Sequence, residues 1–222
     1  TWSAFKGCRF DCVYCKPSFQ RQAKRQKHKC RSCYEFTPHN HPERLDKIPD
    51  SPFVFVCGNS DLSFCDPEFV TEIIKAIKIR NTKRFSQTYL FQSKRPECFA
   101  PFLSELPGNV ILGTTLETNR DEGYDRISKA PVPSQRYRQF IELDYSRKAF
   151  CLEPLLDFDL DIFSQWVVDA HPEKVWMGFN SRPESVKLPE PSLEKVKELI
   201  LKLKENNIVQ NSKSLRGLET LL

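Results

Sequence analysis

No stretch of the 222-residue chain holds 18 consecutive apolar residues, which excludes a hydrophobic helical membrane span. No signal-peptide pattern is visible. Solenoid-type repeats, low-complexity tracts and interdomain linkers are also missing, so a single domain over 1–222 is expected, and this length can bury one substantial core. The nine cysteines cannot all be paired, which argues against a disulfide framework. Free thiols suit a reducing compartment, and a cytoplasmic setting is expected. Acid is absent between Lys16 and Cys33, a stretch with seven Lys or Arg residues. The whole-chain charge of +5 is mild by comparison. Such a local basic stretch can attract phosphates, or it can be a solvated helix face. No recognisable nucleic-acid reader module accompanies it, and only Phe19 and Tyr34 flank it as stacking rings.

What the chain does have begins near its N-terminus, with Cys8, Cys12 and Cys15 in a C-x3-C-x2-C run. Three thiolates on one short loop can hold three corners of a cubane iron–sulfur cluster, which normally takes four. The fourth iron is then left open to a non-protein ligand. A structural zinc knuckle or a disulfide staple would use the same residue type. Zinc, however, usually draws on C-x2–4-C pairs with a distant second pair.

The run, with Tyr14 just before its third cysteine, resembles the signature loop of radical S-adenosylmethionine (SAM) enzymes. The resemblance implies a [4Fe-4S] cluster on Cys8, Cys12 and Cys15, with SAM chelating the open iron. It also implies Tyr14 against the adenine, and reductive cleavage of SAM to a 5′-deoxyadenosyl radical. An electron donor such as a flavodoxin or ferredoxin is implied as a partner. A second pair, Cys30 and Cys33, is followed by His39 and His41. It reads as half a zinc site with His28, His39 or His41 as nitrogen ligands, as part of a second iron–sulfur cluster if Cys57, Cys65 or Cys98 folds close, as a redox pair, or as ordinary thiols in a Cys/basic insertion over about 16–47.

Good helix formers without an apolar stripe predict one exposed helix over 18–29. From residue 52 onward the pattern alternates. Strands are expected over 53–57, 88–92, 109–117, 148–152 and 175–178, with a further short strand around Val209. Helices are expected over 67–80, from 96 to about 105, and over 119–129, 134–144, 159–170 and 193–205. This alternation predicts an α/β fold with a parallel sheet. With Trp2–Phe5 as a first strand, six βα units would curl into a partial (βα)6 TIM-type barrel, which is also the radical SAM core.

Function in such sheets collects where strands end. Those ends offer Gly58, Asn59, Ser60 and Asp61, then Lys94 and Arg95, then Thr115 and Glu117, then Glu153, and finally Asn180 to Arg182. By charge, Asp61 or carbonyls near Gly58 suit the SAM ammonium, and Lys94 or Arg95 suits its carboxylate or a phosphate. Thr115 or Glu117 suits the ribose hydroxyls, and Glu153 suits the sulfonium or the substrate. Glu153 and Lys94 are the candidate catalytic residues. The order Ser60-Asp61-Leu62, Lys94-Arg95-Pro96-Glu97, Glu117-Thr118-Asn119 and Glu153-Pro154-Leu155-Leu156 is similar to a branch of radical SAM proteins named after phage proteins, whose reaction is unassigned. The expected function is hydrogen abstraction from a substrate, with nucleic acid or a nucleotide favoured by the basic flank. The alternative is a non-catalytic, metal-stabilised nucleic-acid-binding protein.

Overall fold

The structure is a computed structural model that describes residues 1–83, 87–208, 210–215 and 218. Two short N-terminal strands, β1 (Phe5–Lys6) and β2 (His39–Asn40), pair antiparallel. Six more follow: β3 (Phe53–Val56), β4 (Thr88–Gln92), β5 (Val110–Thr115), β6 (Lys148–Leu152), β7 (Lys174–Gly178) and β8 (Gln210–Ser214). These six lie side by side in chain order, every pair parallel. The sheet curls as an open half-barrel. Val209 lies outside the described residues. Trp2 and Gly7 make parallel bridges to Val56 and Ser60, so the N-terminal segment runs along the free edge of β3.

The helices are α1 (Arg21–Ala23), α2 (Arg31–Glu35), α3 (Pro67–Lys83), α4 (Pro133–Ile141), α5 (Leu160–Asp169) and α6 (Leu193–Glu205). Pro67 begins α3, where its missing N–H costs nothing. The α3 residues Phe69, Val70, Ile73, Ile74 and Ile77 form one buried stripe. Each such side chain contributes about 1.5–3 kcal/mol relative to exposure. The other sheet face is a small apolar plug of Leu90, Ile111 and Ala149, closed by Phe53, Phe55 and Trp176. Among the described residues no helix is long and apolar enough to cross a membrane.

Four expected elements differ. The first strand expected over Trp2–Phe5 is an isolated bridge at Trp2, followed by β1, which pairs with β2 outside the six-stranded sheet. Pro96–Glu105, expected as a helix, winds as 3-10 turns with Pro101 inside it. The helix over 18–29 is instead a chain of short turns, Val13–Cys15, Lys16–Gln20, α1 and Lys24–Gln26. Pro17 and the Ser18 hydroxyl, which donates to the Tyr14 carbonyl at 2.8 Å, break its regularity. The helix over 119–129 does not form, apart from one turn at Tyr124–Arg126. Gly123 sits at φ 72°, and the segment's backbone bonds go to the cysteine loop. Val13 N–H donates to the Ile127 carbonyl, and Lys129 N–H to that of Phe10, at 2.9 and 2.7 Å. Tertiary partners outcompete the local helix here.

Candidate functional site

The cysteine loop and the strand ends face one another across a cavity of about 410 Å³. One wall is Cys8, Cys12, Tyr14 and Cys15. The opposite wall takes Gly58 to Asp61 beyond β3, Gln92 to Lys94 at β4, and Thr115 at β5. Cys151 and Glu153 come from β6, and Phe179 to Arg182 follow β7. A curled parallel sheet brings its strand ends together in this way, although the residues are far apart in sequence.

The loop is held from both sides. Cys15 N–H closes a turn onto the Cys12 carbonyl at 2.9 Å, and Phe10 N–H approaches Cys8 Sγ at 3.4 Å. Cys12 Sγ lies 3.1 Å from the Ser128 hydroxyl. The hydrogen bond from Cys15 lowers the Cys12 thiol to about 6, against its burial and with help from Lys94 and Ser128. The same bond, followed by burial, pushes Cys15 up, and burial pushes Cys8 up. Metal ligation takes the thiolate form, which this pairing makes accessible at Cys12.

Gly7 seats the loop. Its φ is 92°, and a Cβ there would stand 2.1 Å from the Thr37 carbonyl oxygen. Gly7→Ala is expected to destabilise the fold by at least about 1–3 kcal/mol. A urea midpoint equal to the parent's would contradict that seating.

Beneath the cavity lies a buried charge cluster centred on Glu117, which is fully buried. Its Oε1 accepts from the hydroxyls of Tyr14 and Tyr124, at 2.5 and 3.0 Å, and from the Lys94 ammonium. Its Oε2 accepts from Arg136 Nη1 at 2.9 Å. Burial opposes ionisation of Glu117, but Arg136 and Lys94 outweigh it and hold the carboxyl at about 2. Burial likewise works against the Lys94 charge, and Glu117 reverses that and raises it. Two cations, Lys94 and Arg136, and two carboxylates, Glu117 and the buried Asp61, thus lie next to the cysteines.

This placement separates residues that the sequence grouped. Glu117 does not line the cavity, and its oxygens are taken by four side chains, so of the two ribose candidates only Thr115 reaches the wall. Thr115 Oγ1 accepts from Gln92 Nε2 at 2.9 Å. Asp61 reaches the wall but accepts from Ser93 Oγ, Ser63 N–H and Lys94 N–H, at 2.6, 3.0 and 2.7 Å. It fixes the β4 end as well as adding charge. Glu153 lies against Gly178, where a Cβ would come within 3.1 Å of its carboxyl carbon. Sequence reasoning missed Arg136, Tyr124 and Ser128; their roles arise from contacts between distant segments and carry no local motif.

Cys30, Cys33, His39 and His41 form a second group, whose four ligand atoms all lie within 4.8 Å of one another. His28, Cys57, Cys65 and Cys98 are not part of it. Neither a family model nor a curated protein matches the chain.

Proposed function

We propose that the chain is a radical SAM enzyme, with the [4Fe-4S] cluster on Cys8, Cys12 and Cys15 and SAM in the adjoining cavity. The observation that carries the reading is the meeting of these three thiols with five strand ends around one cavity. A cavity of about 410 Å³ falls within the ordinary range for small-molecule sites. The donor set fits the group: three soft thiol ligands on one loop, with Cys12 favoured as a thiolate by its bond from Cys15 and by Lys94. When bound, the two groups together supply a 5′-deoxyadenosyl radical by one-electron cleavage of SAM.

The protein's own residues position and shield. Tyr14 is oriented by its bond to Glu117, which sets its ring beside the third cysteine. Thr115 and the carbonyls near Gly58 offer acceptors for hydroxyl and ammonium groups. Lys94 supplies a fixed positive charge for a carboxylate, and Glu153 a negative one for the substrate side. Phe10 and Leu156 pack behind the loop and keep water from its rear. An external one-electron donor of the flavodoxin or ferredoxin kind completes the reaction. Anaerobically reconstituted protein, given dithionite and SAM, should release 5′-deoxyadenosine. A colourless zinc protein that leaves SAM intact would instead support the binding-protein reading.

The basic flank supports a nucleic acid or nucleotide as the substrate class. Lys24, Arg25 and Lys27 are exposed on the segment that also lines the cavity through Ser18 and Phe19. A nucleic acid or nucleotide at the mouth would meet this basic flank. Replacing all three by alanine should weaken polyanion binding and lower the slope of log K against log salt by up to about 3. An unchanged slope would return the segment to a solvated surface.

A further inference from the structure

We infer that Cys30, Cys33, His39 and His41 form a closed tetrahedral zinc site that holds the 16–47 insertion against the cysteine loop. The hydrogen-bond pattern of the two imidazoles carries the argument. His39 Nδ1 lies 2.7 Å from the Thr37 carbonyl oxygen, and His41 Nδ1 lies 2.8 Å from Glu43 Oε1. Both partners only accept, so both Nδ1 atoms carry the hydrogen. In the neutral ring this leaves a bare lone pair on each Nε2. These two Nε2 atoms are 2.9 Å apart. Two lone pairs at that distance repel unless a cation lies between them.

The sulfurs complete the set. Cys33 Sγ is 3.3 Å from His39 Nε2 and 3.2 Å from His41 Nε2. Cys30 Sγ is 3.5 Å from His39 Nε2. Zn–S bonds of about 2.3 Å and Zn–N bonds of about 2.0 Å place tetrahedral ligands roughly 3.3–3.8 Å apart. The group is a slightly contracted version of that tetrahedron. A two-iron cluster with this donor set would put the sulfurs on one iron and the nitrogens on the other. The contact of Cys33 Sγ with both nitrogens rules out that separation and points to one ion. Two thiolates and two neutral imidazoles around Zn²⁺ sum to zero charge, which suits the burial of Cys33 and His41. Loading the site releases the two thiol protons to solvent. The carbonyl and carboxylate behind the imidazoles are the usual outer partners of zinc-bound histidine.

The site's place in the fold gives its role. His39 lies on β2, whose partner β1 leads directly into Gly7 and Cys8. His41 N–H donates to the Ala4 carbonyl at 2.6 Å, and Cys8 N–H to the Phe36 carbonyl at 3.3 Å. One ion therefore ties residues 30–41 to both ends of the segment that enters the cysteine loop. Four protein ligands leave no open position, so the role is structural.

The inference does not depend on the reading of the Cys8 loop, and the test keeps them apart. Elemental analysis of protein expressed in zinc-supplemented medium should find about one zinc per chain. The Cys8→Ser/Cys12→Ser/Cys15→Ser variant should retain it, and Cys30→Ser/Cys33→Ser should lose at least ten-fold. As a gain-type variant that keeps four ligands, His39→Cys should still bind one ion. With Co²⁺ it should show tetrahedral ligand-field bands and stronger thiolate charge-transfer absorption than the parent. Iron in place of zinc at this group, zinc retained by the double serine variant, or no tetrahedral Co²⁺ spectrum from the parent would each overturn the assignment.

Discussion

Cys12→Ala is expected to bring cluster iron from about four atoms per chain to background and to abolish SAM cleavage. Cys12 is the most buried of the three loop cysteines, 3% exposed, and lies next to Ser128. Its thiol is also the one whose ionisation the surroundings favour. On the proposed reading, removing it takes away one of three protein ligands and leaves two on a loop seated by Gly7 and the 124–130 segment. Cys151→Ala is the informative control. Among the described residues Cys151 is the remaining thiol on the cavity wall. If one iron is left for SAM, that variant keeps its cluster and its cleavage activity. If Cys151→Ala loses iron as Cys12→Ala does, the cluster has four protein thiolates and the proposed chemistry fails. Iron and sulfide assays on the two variants, read beside 5′-deoxyadenosine, decide the matter.

Glu117→Gln should lower stability by about 3–5 kcal/mol, the usual cost of removing one partner from a buried ion pair. For a chain of this size that is roughly a 6–20 °C fall in Tm. The effect is large because Lys94 and Arg136 would both keep their charge without the carboxylate between them. Arg136 is fully buried, and its Nε and Nη2 already lack hydrogen-bond partners among the described residues. The pH dependence has a definite sign. The folded-state carboxyl sits at about 2, below its ordinary 4.5. Its contribution is complete above 4.5 and is lost as pH falls from 4.5 toward 2, on the order of 3 kcal/mol in all. The parent's Tm should therefore drop through that window, and the glutamine variant should be flatter there. A variant within about 0.5 kcal/mol of the parent would show that the cluster adds little.

Much of the scaffold was legible because its signals are local. The strand over 148–152 and the helix over 193–205 appear with those bounds, since continuous apolar runs and a four-residue stripe (Val196, Leu199, Ile200, Leu203) need no distant information. The three loop cysteines and the strand-end residues Asp61, Lys94, Thr115 and Glu153 meet at one cavity, as parallel topology implies. The segment 119–129 was not legible as a loop. Its composition permits a helix, and only its bonds to Phe10, Val13 and Cys12 explain why it refuses one. Glu117 was placed at the right strand end but in the wrong environment. Its partners Tyr14 and Arg136 lie 103 and 19 residues away, and no spacing rule joins them. His39 and His41 stood among several ligand alternatives; the β1–β2 pairing brings them to Cys30 and Cys33, and His28 stays outside the group.

The central claim is an iron with no side chain on its fourth position, available to SAM. Electron paramagnetic resonance of the reduced, reconstituted protein measures this directly. The account predicts that adding SAM changes the cluster signal in the parent and in Cys151→Ala alike. A signal that is identical with and without SAM would contradict it.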